Sequence, residues 1–84
     1  MLNWTDIQQL PELTNPIIPD LPEVEQIFTS NPVLLFKDNK YYCVKLTRCV
    51  FSDGDTEMYW QQEDVAETLP LEPTDRWASF NLYK

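Results

Sequence analysis

Hydrophobic and polar positions are patterned most clearly between Val33 and Gln61. Three β-prone runs stand there, over residues 33–37, 41–51 and 56–61, and they read as antiparallel strands. Two polar breaks join them, Asp38-Asn39 and Asp53-Gly54. Asp-Gly between such runs signals a hairpin, because both central residues of a type I′ turn take positive φ. The chain's only glycine is in that break, as backbone need would place it. Along the middle run, Tyr42, Val44, Leu46 and Val50 make one face, interrupted by Arg48. Tyr41, Cys43, Lys45, Thr47, Cys49 and Phe51 make the other. In the third run, Met58 and Trp60 point inward, and Glu57, Tyr59 and Gln61 point outward.

Upstream the period changes. Leu21, Val24, Ile27 and Phe28 stand at helical spacing and predict one main helix over about 21–30. Asp20 opens it, Pro22 and Glu23 suit its first turn, and Asn31-Pro32 ends it. Its apolar stripe is expected to pack on the first face of the middle strand. A shorter helix over Asp6–Leu10, capped by Thr5 with Trp4 as its apolar staple, is stopped by Pro11. Pro11 to Pro19 hold three prolines and read as an extended segment laid over the body. Asp64 to Leu69 fit either a short helical turn or a bent strand, and Leu69 to Pro73 a loop. Arg76 to Tyr83 fit a closing strand, over 77–83, or a short helix capped by Thr74. Trp77, Phe80, Leu82 and Tyr83 favour the strand. The expected fold is α+β: a single domain, residues 1–84, with one main helix on a three- to four-stranded antiparallel sheet.

Composition narrows the function. Eighty-four residues allow one core, and 43% apolar residues with 13% aromatics are enough to fill it. A net charge of −8 opposes direct binding of nucleic acid or of an anionic membrane surface. The N-terminus has no basic stretch followed by an apolar run, and no segment is apolar for long enough to span a bilayer. Cys43 and Cys49 lie on one predicted strand, roughly 20 Å apart, beyond disulfide reach. Two free thiols fit a reducing cytoplasm. The chain has no histidine to serve as a base and no glycine-rich loop for a phosphate, so no enzyme and no cofactor is expected. Asp53-Gly54-Asp55-Thr56-Glu57 invites a calcium reading, but the glycine falls at the second position of the loop where an EF-hand needs the sixth, so no metal is expected.

Charge is segregated along the chain. Five acids and no base precede Lys37, four bases and one acid occupy Lys37 to Ser52, and eight acids with no base run from Asp53 to Asp75. One reading is solubility and protection of strand edges. The other is an acidic ridge of Asp53, Asp55, Glu57, Glu63, Asp64, Glu67, Glu72 and Asp75, with Tyr59 and Trp60 as anchoring aromatics. Such a ridge would dock on the basic surface of a nucleic-acid-binding protein, its carboxylates standing where that surface expects phosphates. The alternative is a structural or assembly accessory acting through an apolar patch, with oligomerisation left open.

Trp4 followed by Leu10-Pro11-Glu12, then Pro32-Val33-Leu34-Leu35-Phe36, Trp60 and Arg76-Trp77-Ala78, resembles a small prophage-borne family of unknown function. The resemblance implies a phage or mobile-element setting, where short acidic proteins block host nucleases. Within that class it points to anti-CRISPR or anti-restriction inhibitors.

Overall fold

The computed structural model describes residues 3–79, and among these there is no helix. The α+β expectation is therefore corrected: the chain folds as an all-β sheet curled into a half-barrel. Its strands are β1 (Thr5–Asp6), β2 (Leu13–Ile17), β3 (Val24–Ser30), β4 (Val33–Lys37), β5 (Lys40–Phe51), β6 (Thr56–Gln62), β7 (Thr68–Pro70) and β8 (Arg76–Ser79). One path through the sheet runs β1-β8-β4-β5-β3-β2, while β6 lies on the other edge of β5 and β7 lies beyond it. All pairings are antiparallel.

The length of β5 explains why residues 24–30 are a strand. On one edge of β5, β4 pairs only with Lys40–Val44. The rest of that edge, Thr47–Phe51, would leave backbone groups unpaired unless another strand covered them. β3 does so, with Phe28 opposite Arg48 and Thr29 opposite Thr47. A ten-residue helix is marginal by itself, and Val24, Ile27, Phe28 and Thr29 are all β-prone types. Tertiary pairing overrides their helical spacing, and Ile27 and Phe28 end on opposite faces. Between β3 and β4 the ladder is broken at Asn31-Pro32. There the hydroxyl of buried Ser30 accepts the Leu46 N–H at 2.9 Å and donates to the Asn31 carbonyl at 2.8 Å.

The first predicted helix is also replaced. Thr5 and Asp6 pair with β8, and a turn follows in which the Asp6 carboxylate accepts the Gln8 N–H at 3.0 Å. Trp4 does not staple a helix but packs on Phe36 and Tyr41. The proline-rich stretch keeps its extended reading as the edge strand β2. Residues 63–66 form bends, and the expected loop contributes Leu69 and Pro70 to β7. The closing strand is seen over Arg76–Ser79. Phe80, Leu82 and Tyr83, expected in the same strand, lie outside the described residues.

The two hairpin turns exchange roles. Asp38 and Asn39, with φ of 51° and 62°, form the two-residue turn with both central residues left-handed. At Asp53-Gly54 only Gly54 has positive φ, 96°. That loop is one residue longer, closed by Phe51 N–H to Asp55 carbonyl at 2.8 Å, and the Asp53 carboxylate accepts the Asp55 N–H at 3.0 Å.

β5 also changes its buried face part-way. Val44 and Leu46 are buried on one side, and Thr47 and Cys49 on the other. The first pair joins Val33, Leu35, Trp60 and Trp77 in the core, with Ile7, Leu10, Leu13, Tyr42, Leu69 and Leu71 packed around it. Beside this core sits a buried ionic cluster. Asp75 is fully buried, and its carboxylate accepts the Trp60 indole N–H at 3.0 Å, the Glu72 N–H at 2.9 Å and the Lys37 ammonium at 3.1 Å. Lys37 is 4% exposed and also donates to the Pro70 carbonyl at 2.8 Å and to Glu72 at 2.6 Å. The cluster ties β4, β6, β7 and the chain entering β8 to one another.

Removing one partner of such a pair strands the other charge. Asp75→Asn is expected to lower unfolding stability by about 3 kcal/mol. Glu72→Gln, with its carboxylate near the surface, should cost about 1 kcal/mol or less; urea denaturation of both variants checks the contrast. Burial alone would lower the Lys37 pKa, but hydrogen bonds to Glu72 and Asp75, and their charges, raise it above the ordinary 10.5. The ammonium's contribution is therefore whole below the ordinary lysine value. It is lost as pH rises past that value through the higher folded one. The urea midpoint of the native protein should fall more steeply above about pH 10.5 than that of Lys37→Met.

Candidate functional site

The acids predicted to form one ridge are divided by the fold into three groups. Asp53 and Asp55 lie on the β5–β6 loop, with Glu57 just inside β6, and all three are exposed. Glu63, Asp64 and Glu67 are exposed beyond the far end of β6. The strand from Met58 to Gln62 separates Glu57 from Glu63, a span of roughly 20 Å. Glu63 is in addition drawn to Lys45 at 3.8 Å. Glu72 and Asp75 belong to neither group, since both pair with Lys37. Asp75 and Trp60 are fully buried. This corrects their reading as partner-binding residues: Trp60 is a core side chain, and its indole N–H is consumed by Asp75.

Tyr59 is different. It is half-buried on the outer face of β6, the face that also carries Glu57. In register with them run Thr29-Thr47-Tyr59 and Ile17-Ile27-Cys49-Glu57. The outer face near the hairpin tip thus sets an aromatic ring and isoleucines beside carboxylates. Burial raises the Tyr59 pKa, helped by Cys49 and Glu57, so its hydroxyl remains a hydrogen-bond donor at neutral pH.

The sequence reading missed Glu23 and Glu25. On a helix they would face away from the sheet, far from the hairpin. As part of the chain leading into and through β3, they come beside the hairpin tip. The Ser52 N–H donates to the Glu23 carbonyl at 3.0 Å, the Ser52 hydroxyl donates to the Pro22 carbonyl at 2.9 Å, and Val24 pairs with Phe51. Glu23 and Glu25 are both exposed. Five exposed carboxylates, Glu23, Glu25, Asp53, Asp55 and Glu57, therefore share one end of the molecule. Among the described residues none of the five is in an ion pair. The sequence signal that could have found Glu23 and Glu25 is the β-prone composition of residues 24–29, against their helical spacing.

Among the described residues no group of three or more Cys, Asp or Glu is arranged to hold a metal ion. Asp53-Gly54-Asp55-Thr56-Glu57 is a hairpin loop running into a strand. A cleft of about 360 Å³ lies between the β1–β2 connection and Trp77, and Glu12 is its only charged lining residue. Among the described residues no helix is long and apolar enough to cross a membrane. No protein-family model, curated protein or solved structure matches the chain.

The two cysteines are free, Cys43 exposed and Cys49 buried. Burial raises both thiol pKa values, with Glu63 and Asp64 adding to the effect at Cys43 and Glu57 at Cys49. Both are therefore protonated at neutral pH and poor nucleophiles. A thiol reagent at pH 7.5 should titrate Cys43 slowly and Cys49 only as fast as the protein opens. Cys43→Ser should remove the first phase and leave the second.

Proposed function

We propose that the chain is a non-enzymatic binding module that docks on a basic surface of a nucleic-acid-handling protein. The observation that carries this reading is the backbone junction of Ser52 with Glu23, which sets five exposed carboxylates at one end beside Tyr59. A field of one sign speeds encounter with a basic partner and repels acidic ones. Tyr59 and Ile27 supply a half-buried apolar patch of the kind that anchors an interface. Direct nucleic-acid binding is opposed by the same charge. The cytoplasm is the compartment proposed, since two free thiols suit a reducing environment.

Two features support a role without chemistry. Among the described residues no hydrogen bond joins Glu12 to the Thr14, Ser30 or Ser79 hydroxyls that line the Trp77 cleft with it, and the two thiols that could act as nucleophiles have pKa values pushed up. The docking group is now Asp53, Asp55, Glu57 and Tyr59, joined by Glu23 and Glu25. Glu63, Asp64 and Glu67 form a second, separate acidic cluster.

A second reading, an assembly accessory acting through an apolar patch, has one observation in its favour. Ile17, Ile18 and Leu21 are 49%, 83% and 54% exposed around the β2–β3 connection. Salt separates the two. Charge reaches about 8 Å at physiological ionic strength and about 3 Å at 1 M. The experiment is capture of host proteins at both salts by the native protein and by a variant with Asp53→Asn, Asp55→Asn, Glu57→Gln, Glu23→Gln and Glu25→Gln. A partner that binds nucleic acid, is lost at high salt and is lost with the variant is the expected result. Capture unchanged by salt and by the variant removes the carboxylates from the mechanism.

A further inference from the structure

The inner face of the half-barrel extends beyond its sealed core. Past the Leu46-Trp60 row, four strands align Pro16, Phe28, Arg48 and Met58 in register, and the next row holds Gln26, Val50 and Thr56. Phe28, Arg48 and Val50 are only half-buried there, and Met58 is 37% exposed. The Arg48 guanidinium lies over the Phe28 ring, 5.0 Å from its centroid. Its Nε is shut off from solvent and has no hydrogen-bond partner, the one such side-chain atom among the described residues. No described carboxylate is within ion-pair distance of it. Neither row carries an acid, and Glu57 points to the opposite face.

An unpartnered guanidinium set among apolar side chains costs the free fold stability. A buried polar atom left unpaired in a native structure calls for a functional reason, and a ligand that completes it is one. We infer that this inner face receives an extended segment of a partner protein that presents a carboxylate to Arg48 and apolar side chains to Phe28, Val50 and Met58. Charge complementarity selects the occupant: a planar guanidinium fork on an acid-free apolar face matches a carboxylate end-on. A phosphate backbone matches it poorly, because the chain's net charge of −8 repels a polyanion while a single carboxylate approaches at lower cost. The flat strand row suits an extended peptide, whose alternate side chains face one surface. This face is separate from the carboxylates of the proposed basic-partner surface and takes a partner group of opposite sign.

The probe is a short capped peptide with leucine, one glutamate and leucine at alternate positions and serines between them, so that all three face one surface, compared with its counterpart in which glutamine replaces the glutamate. Binding is read by NMR at the Met58 methyl and the Arg48 Nε–H. Saturable shifts are expected, at least about tenfold weaker for the glutamine peptide and for Arg48→Met. Arg48→Met gives up the cation–π contact with Phe28 but also removes the unpaired Nε–H, so it should meanwhile melt within about 5 °C of the native protein. The five-site carboxylate variant should bind the peptide as well as the native chain does. Thus failure of the basic-surface reading leaves this one standing, and the reverse also holds. Equal binding of the two peptides, binding that survives Arg48→Met, or a melting temperature for Arg48→Met lowered by more than about 5 °C would each overturn the inference. So would an Arg48-dependent dimer, or a single-stranded oligonucleotide giving the same shifts in place of the peptide.

Discussion

The fold depends on a charge pair placed where water does not reach. Lys37 and Asp75 stand 3.1 Å apart, 4% and 0% exposed, at the meeting of β4, β6 and the approach to β8. An isolated ion there would be expensive. It is tolerated because each hydrogen-bonding position has a partner: Asp75 accepts from an indole, a backbone amide and an ammonium, and Lys37 donates to a carbonyl and two carboxylates. Three of the residues involved, Trp60, Glu72 and Asp75, lie in the segment whose acidity suggested a surface function. Their position makes them the fastening of the fold. A ridge built on all eight acids is therefore not what the molecule presents.

The same fastening governs what is left outside. By drawing the 71–75 segment onto β4 and β6, it withdraws two carboxylates from the surface. Exposed acid then concentrates at the β5–β6 hairpin and the β6–β7 connection. The hairpin end acquires two further carboxylates because β3, pairing with the second half of β5, carries Glu23 and Glu25 to it. An acidic end thus arises from a sheet-pairing requirement.

Curvature has its own consequence. Two strands, β3 and β4, share one edge of β5, and the buried side of β5 changes between Leu46 and Thr47. The inner face is sealed around Trp60 and opens past it, leaving Arg48 over Phe28 without an acidic partner. The outer face closes over Cys49 and half-closes over Tyr59. One long strand thereby serves two surfaces of different chemistry.

The sequence alone determined the three central strands, both hairpin positions and the extended proline segment, and it favoured a strand over a helix after Thr74. In each, a local signal and the tertiary need agree: alternation of side chains, Asp-Asn and Asp-Gly turns, proline barred from a central ladder. It also indicated that Trp60 points inward and Tyr59 outward. Tertiary structure decided residues 21–30, where helical spacing and β-prone composition compete and the unpaired edge of β5 settles the matter. Only the folded chain could decide which acids are buried. Burial of Asp75 follows from a lysine far away in the sequence and a tryptophan on another strand, and side-chain pairing across the sheet leaves no trace in local charge.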